Sequence, residues 1–275
     1  MGSGTPGGGN DRHLTGEGQQ IQKIQGGLRF NHILIQAFTV TMLFHKIANR
    51  IAAVSMKAVF GAVAQIRVIR RDNADRSGGM LLAANHISHF DPFIISAVVR
   101  RKIDWMAMAE FFPYPVLGQF LRAVDAFPAA RDRADSNTIR SAIHRLRSGR
   151  IVGIFPEGGI RDGSRSILQG AATRAGVAAL ADIAGVPILP CVILGSDRLY
   201  HRRRWTRFRQ TPIWIAFGHP IYRDLSLDKT AAREQIGSQF AAAIDRLRCE
   251  ISDAFQLDPT DFPQPPRVRM QESVR

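Results

Sequence analysis

Met80–Pro92 reads M-L-L-A-A-N-H-I-S-H-F-D-P. Its first half, Met80–Ala84, is a short apolar run of the kind a buried strand uses. Pro92 opens a second apolar segment, Phe93–Val99. Proline is favoured at the first position of a helix and aspartate at the cap before it, which predicts Asp91 as an N-cap. His86 then stands on a loop at the end of a strand. In one regular helix, the five-position offset from His86 to Asp91 would turn the two side chains about 140° apart. A loop lets them meet. A carboxylate that accepts from one imidazole nitrogen fixes the tautomer and frees the other nitrogen as a base.

The chain has eight histidines, and one near an aspartate is common by chance. The reading gains weight from Ile151–Asp162, I-V-G-I-F-P-E-G-G-I-R-D. Here another apolar strand runs straight into Pro156-Glu157-Gly158-Gly159 and then Arg161. Two strand ends carrying polar residues of little structural use point to one site at the carboxyl edge of a sheet.

These segments resemble the glycerolipid acyltransferase family, the lysophosphatidic acid acyltransferases and their relatives. Asn85-His86 through Asp91 matches the family's N-H-x-x-x-x-D motif, and Phe155-Pro156-Glu157-Gly158 matches the start of F-P-E-G-T-R. Three further stretches follow the family's order. Val124–Arg131 resembles its arginine-bearing block, Val186–Pro190 its V-P-I-x-P block, and Phe217–Ile221 its closing F-G-x-P-I. The resemblance spans about residues 63–222. Its third block reads E-G-G-I-R, so Arg161 stands one place late, and the arginine of the second block is Arg131 or Arg133.

Around these blocks, strands alternate with helices. Strands are predicted at Gln65–Ile69, Met80–Ala84, Asp104–Ala109, Val124–Phe127, Ile151–Phe155, Pro187–Leu194 and Ile213–Phe217. Helices are predicted at Phe93–Arg101, Pro113–Arg122, Ser136–Ser148, Gly170–Ala184 and Lys229–Ser252. The helix at Ser136 is the clearest of the short ones, with Ile139, Ile143 and Leu146 in register and Gly149 as its stop. The longest carries Ile236, Phe240, Ile244, Leu247 and Ile251 on one face. This alternation predicts a single α/β domain over residues 63–256, with a mixed, largely parallel sheet flanked by helices.

Residues 1–26 are Gly- and Gln-rich without apolar periodicity and read as disordered. Residues 27–62 hold two apolar segments broken by Lys46, Arg50 and Lys57. Neither is long enough uncharged to span a bilayer. They read as an amphipathic two-helix element lying in a membrane interface. The Pro-rich stretch 257–275 reads as a flexible tail.

The formal net charge is +14. A strongly basic chain seeks nucleic acid, an anionic membrane or phosphorylated substrates. The charge is patched: residues 27–78 carry eight Lys/Arg against Asp72 and Asp75, and residues 196–209 carry six Arg against Asp197. The second patch interleaves Tyr200, Trp205 and Phe208, a composition that suits stacking on nucleic acid, a membrane interface, or the phosphates of coenzyme A or an acidic carrier. Its place between two strands of the core favours membrane or donor over nucleic acid. The two cysteines, Cys191 and Cys249, rule out a cysteine zinc site and a disulfide framework, and fit a reducing compartment. No Walker loop, G-x-G-x-x-G, metal-ligand spacing or G-x-S-x-G occurs, so no metal or cofactor is expected.

In a catalytic reading His86 is the general base and Asp91 its orienting partner, with Asn85 and Ser88 behind them and His89 a rival base outside the motif. Glu157 hydrogen-bonds an acceptor hydroxyl or holds Arg161 or Arg131. Gly158 and Gly159 let backbone amides approach a phosphate. Arg131 and Arg161 are the candidate phosphate ligands, because a guanidinium meets phosphate with two hydrogen bonds. The resemblance implies acyl transfer from acyl-CoA or acyl carrier protein to a lysophospholipid, foremost 1-acylglycerol-3-phosphate, at the cytoplasmic face of an anionic membrane by a peripheral enzyme. Glycerol-3-phosphate or another lysolipid is a variant acceptor. The rival classes are a thioesterase and a non-catalytic basic protein that binds membrane or nucleic acid. The last leaves His86, Asp91, Glu157 and Arg161 without roles.

Overall fold

The computed structural model describes residues 50–51, 54–55, 57–129, 136–173, 176–206, 208 and 211–271. Seven strands form one sheet: β1 (Ala64–Ile69), β2 (Met80–Ala84), β3 (Ile103–Met108), β4 (Phe127–Ala129), β5 (Ile151–Ile154), β6 (Ile188–Leu194) and β7 (Thr211–Phe217). Their spatial order is β1-β7-β6-β2-β5-β3-β4. The pair β6–β7 is antiparallel and every other neighbouring pair is parallel. So β1 and β7 run against the other five. This is the expected mixed, largely parallel sheet.

The central strands are buried on both faces, as parallel strands under helices are. In β2, Leu81 and Ala83 point to one face and Met80, Leu82 and Ala84 to the other. The first face packs against α3 (Ser136–Arg147), α4 (Gly176–Ala184) and α5 (Lys229–Phe255), through residues such as Leu146, Leu180, Phe240 and Leu247. The second face is covered by α1 (Asp91–Val98) through Ile94 and Ile95, and by Phe60 and Val63. One further helix, α2 (Pro115–Ala123), follows β3.

Several boundaries differ from the sequence reading. The fourth strand is Phe127–Ala129, not Val124–Phe127, because Val124 caps α2 and Asp125 turns with φ 58°. Of the helix expected over Gly170–Ala184, Gly176–Ala184 is helical and residues 171–173 are not; Gly170 itself takes φ 84° and closes a short 3₁₀ turn, Ile167–Gln169. Two more 3₁₀ turns, Ser196–Tyr200 and Arg202–Thr206, stand where a loop was expected.

The tail is not loose through residue 271. Helix α6 (Pro266–Gln271) brings Arg269 into the interior, where its Nε meets the Asp197 carboxylate at 2.6 Å. Asp197 also accepts from the Gln264 amide, and Arg198 pairs with Asp261. A buried aspartate needs such partners, and composition did not show that a Pro-rich polar segment would supply them. The stretch expected to be disordered, 1–26, and most of the two-helix element at 27–62 lie outside the described residues. Of the latter, residues 57–62 are helical, and Phe60 is buried against the sheet. Among the described residues no helix is long and apolar enough to cross a membrane.

Candidate active site

Parallel pairing of β2 with both β5 and β6 brings three strand ends together at one edge. Asn85, the first residue past β2, extends the sheet with its side chain. Its amide donates to the Ile193 carbonyl at 2.9 Å and accepts from the Ile193 N–H at 2.8 Å. Asn85, expected to stand behind the catalytic pair, is therefore a ladder rung that holds the β2 exit against β6.

His86 follows. Its Nδ1 lies 2.9 Å from Asp91 Oδ2. The same oxygen accepts from the Ile87 and Ser88 amides at 2.8 and 2.9 Å, and Ser196 Oγ donates to Oδ1. Asp91 is 0% exposed while the His86 side chain is 15% exposed. A carboxylate accepting from four donors cannot swing away. The imidazole is thereby fixed as the Nδ1–H tautomer, with Nε2 left as the basic nitrogen.

Asp91 is not the N-cap that the sequence predicted. Phe90 occupies the cap and Asp91 begins the helix, with Pro92 beside it; no side chain caps α1. The carboxylate turns back onto residues 86–88 instead of forward onto the helix. Ser88 contributes in the same turn, its Oγ accepting from the Phe90 N–H.

The His86 ring lies flat on Phe155, with centroids 3.9 Å apart and planes at 13°. Phe155 in turn stacks on Trp105 at 4.9 Å and 10°. Gly153 makes this possible: a Cβ there would stand 2.6 Å from the Trp105 ring. The sequence reading named neither Phe155 nor Ser196 as site residues. Phe155 stood in the quoted F-P-E-G, and its signal was a large aromatic at the last step before the turn. Ser196 sits just past the V-P-I-L-P strand, after Gly195 (φ 84°), where a Cβ would meet the Pro212 carbonyl at 2.4 Å.

Glu157 holds neither Arg161 nor, among the described residues, any other arginine. Its Oε2 accepts from the His86 backbone N–H at 2.6 Å, and its Oε1 from Ser166 Oγ and the Ile167 N–H, both at 2.8 Å. The Arg161 N–H donates to the His86 carbonyl at 2.9 Å. Glu157 thus clamps the His86 loop to the loop after β5. Burial pushes its carboxyl above the usual range, against the pull of these three donors.

Gly158 takes φ 68° and closes the turn on the Phe155 carbonyl. The Arg161 guanidinium lies over Gly159, 3.8–4.0 Å from where a Cβ would be. Among the described residues it has no carboxylate partner; its recorded side-chain contact is a 3.5 Å approach to the Ile160 carbonyl. Arg131, the other candidate phosphate ligand, and Arg133 lie outside the described residues.

His89, the rival base, is bound by Tyr200, whose hydroxyl lies 2.7 Å from Nδ1 and accepts from the His89 N–H. Burial and the neighbouring His86 pull its imidazole below the usual range. Among the described residues no carboxylate hydrogen-bonds it.

A model of the Acyltransferase family matches residues 65–194, from β1 to the end of β6. The 1-acyl-sn-glycerol-3-phosphate acyltransferase of Bacillus subtilis is 26% identical over 200 residues, covering 72% of this chain and 94% of that protein. A lyso-ornithine lipid O-acyltransferase of Rhizobium meliloti is 30% identical over 102 residues, 36% of this chain and 34% of that one. The crystal structure of the 1-acyl-sn-glycerophosphate acyltransferase PlsC from Thermotoga maritima superposes with a TM-score of 0.53 at 19% identity. The match covers 74% of this chain and 79% of that one, and shows the same fold. With both signature motifs meeting at one sheet edge, residues 65–194 form a domain of the Acyltransferase family, and the protein is an acyltransferase similar to the glycerolipid enzymes.

Proposed function

We propose that the protein moves a fatty acyl group from acyl-CoA or acyl carrier protein to the hydroxyl of a lysophospholipid, foremost 1-acylglycerol-3-phosphate. The observation that carries this is the His86–Asp91 pair at 2.9 Å, with a buried aspartate and a partly exposed imidazole. His86 Nε2 takes the proton of the acceptor hydroxyl as that oxygen bonds to the thioester carbonyl carbon. The carbon–sulfur bond then breaks, the electron pair leaves on sulfur, and the imidazolium returns its proton to the thiolate. Base catalysis of this kind contributes about 10²–10⁴-fold. Asp91 stabilises the imidazolium, Phe155 holds the ring plane, and Glu157 holds the backbone at His86.

A phosphorylated acceptor is supported by Arg161, a guanidinium free of carboxylates among the described residues and tied through its backbone to His86. The name of the Bacillus relative supports the same acceptor class. The second reading, a phosphate-free lysolipid, has the Rhizobium relative in its favour. A peripheral position at the cytoplasmic face of an anionic membrane fits an acceptor that lives in a bilayer and a donor that does not.

The test is acyl transfer by purified protein with lysophosphatidic acid, glycerol-3-phosphate and a lyso-ornithine lipid in turn, run with Arg161→Ala. The proposal expects lysophosphatidic acid to be preferred, and the variant to raise KM for phosphorylated acceptors far more than for the ornithine lipid. Equal effects on both acceptor types reject Arg161 as the phosphate ligand.

A further inference from the structure

The 3₁₀ turn Ser196–Tyr200 faces two ways. At its ends, Ser196 Oγ donates to Asp91 Oδ1 and the Tyr200 hydroxyl holds His89. Between them, Asp197 and Arg198 turn to the chain beyond α5. Asp197 accepts from Arg269 Nε at 2.6 Å and from the Gln264 N–H at 3.1 Å. Arg198 pairs with Asp261 and reaches the Thr260 carbonyl at 3.3 Å. The Arg269 guanidinium also donates to the Thr260 and Phe262 carbonyls, at 3.1 and 2.8 Å. Residues 260–269 therefore grip the middle of a turn whose ends reach Asp91 and His89.

Asp197 and Arg269 are both buried, while Val268 and Met270 on either side of the arginine are exposed. A buried ion pair is a weak way to add stability, since apolar side chains of the same volume do as well or better. Its charges and hydrogen bonds do fix one geometry, and here that geometry belongs to the residue next to Ser196. The match to the family model ends at Leu194. Ser196 and the residues that grip its turn therefore lie beyond the matched domain.

We propose that residues 260–271 are a latch for the catalytic pair, in which Arg269 and Asp197 are positioning residues that act through Ser196 on Asp91. With the latch closed, Ser196 holds Asp91 Oδ1 while the Ile87 and Ser88 amides hold Oδ2. The carboxylate plane is then fixed, and His86 Nδ1 keeps its partner. With the latch open, the 196–200 turn drifts, Oδ1 loses the Ser196 hydroxyl, and the imidazole loses its alignment. The latch rests on the reading of His86 and Asp91 as the catalytic pair, so one arm of its test uses no substrate.

The full chain is read in two ways. The first is the downfield proton resonance of the His86 Nδ1–H, identified by its absence from His86→Ala. The second is kcat and KM for thiol release from acyl-CoA with lysophosphatidic acid, measured below the lowest thermal midpoint of the set. Arg269→Met/Asp197→Asn opens the latch without stranding a charge, so it folds even where Arg269→Met alone does not. This variant and Ser196→Ala each shift the resonance and lower kcat about tenfold, with KM within about twofold of wild type. Combining them gives a protein no slower than Ser196→Ala, because residues that act through one bond are not additive. A resonance at the wild-type position in Arg269→Met/Asp197→Asn overturns the latch. So do a wild-type kcat in that variant and losses that multiply on combination. Turnover that survives His86→Ala faults the catalytic pair instead, and the resonance still decides the latch.

Discussion

Asp91→Asn separates charge from shape at the centre of the site. Asparagine keeps an oxygen where Oδ2 accepts from the Ile87 and Ser88 amides at 2.8 and 2.9 Å. Its NH₂ then faces Ser196, whose hydroxyl can turn to accept. The loop is retained, at a cost of about 1–3 kcal/mol for exchanging charge-assisted bonds for neutral ones. What disappears is the counter-charge 2.9 Å from His86 Nδ1. Two unit charges about 4 Å apart attract by about 4 kcal/mol at an effective dielectric near 20. At about 1.4 kcal/mol per decade this is close to three decades in rate. The partial exposure of His86 reduces it, so kcat is expected to fall about 10²–10³-fold. Acceptor KM stays near wild type, because Asp91 does not reach the acceptor. Initial rates of thiol release over a matrix of donor and acceptor concentrations, with a thermal melt of each protein, read all three quantities. A variant that melts like wild type and retains kcat within tenfold refutes the ion-pair account of Asp91. Asp91→Ala is the poorer probe. It strands three buried donors at about 1–3 kcal/mol each, which approaches the whole stability of a domain.

Removing the ring under the imidazole, Phe155→Leu, should cost about 1–2 kcal/mol of stability from lost stacking and packing. It should lower kcat with KM unchanged, and rates alongside melts check both. Glu157→Gln leaves one of three donors without an acceptor, for about 1–3 kcal/mol in the melt, and reduces kcat by loosening the His86 loop. Arg269→Met strands the Asp197 carboxylate in the interior, and denaturant titration should read a loss of about 3–5 kcal/mol. Burial pushes the Cys191 thiol far up, whereas Cys249 is exposed. Thiol titration should therefore count one cysteine in the native protein and two in denaturant.

The elements that the sequence shows best are those whose patterning is local. Met80–Ala84 and Ile151–Phe155 are continuous apolar runs, and the stripe at Ile236, Phe240, Ile244 and Leu247 follows helical spacing. All three appear within a few residues of where they were read. The reversal of β1 and β7 has no local sign, because an apolar strand reads the same in either direction. The meeting of His86 with Asp91 was legible from a motif plus a turn. The direction of the Asp91 carboxylate was not, since helix capping and histidine orientation draw on the same residue type at the same position. Glu157 shows the opposite failure. A buried carboxylate was expected to need partners, but Ser166 and the Ile167 amide lie ten residues on or less, in a 3₁₀ turn that carries no periodicity. Arg269 is the extreme case. A Pro-rich polar tail gives no hint that one of its arginines is 2% exposed.

The account rests on His86 as the base, and His86→Ala tests it most directly. Thiol release from acyl-CoA, and from acyl carrier protein if the first is silent, is followed on anionic vesicles with and without lysophosphatidic acid. Wild type should release thiol only with acceptor present, and His86→Ala should lose at least about 10²-fold of that rate while melting and binding vesicles as wild type does. Acceptor-independent release, or a His86→Ala protein within tenfold of wild type, would contradict it.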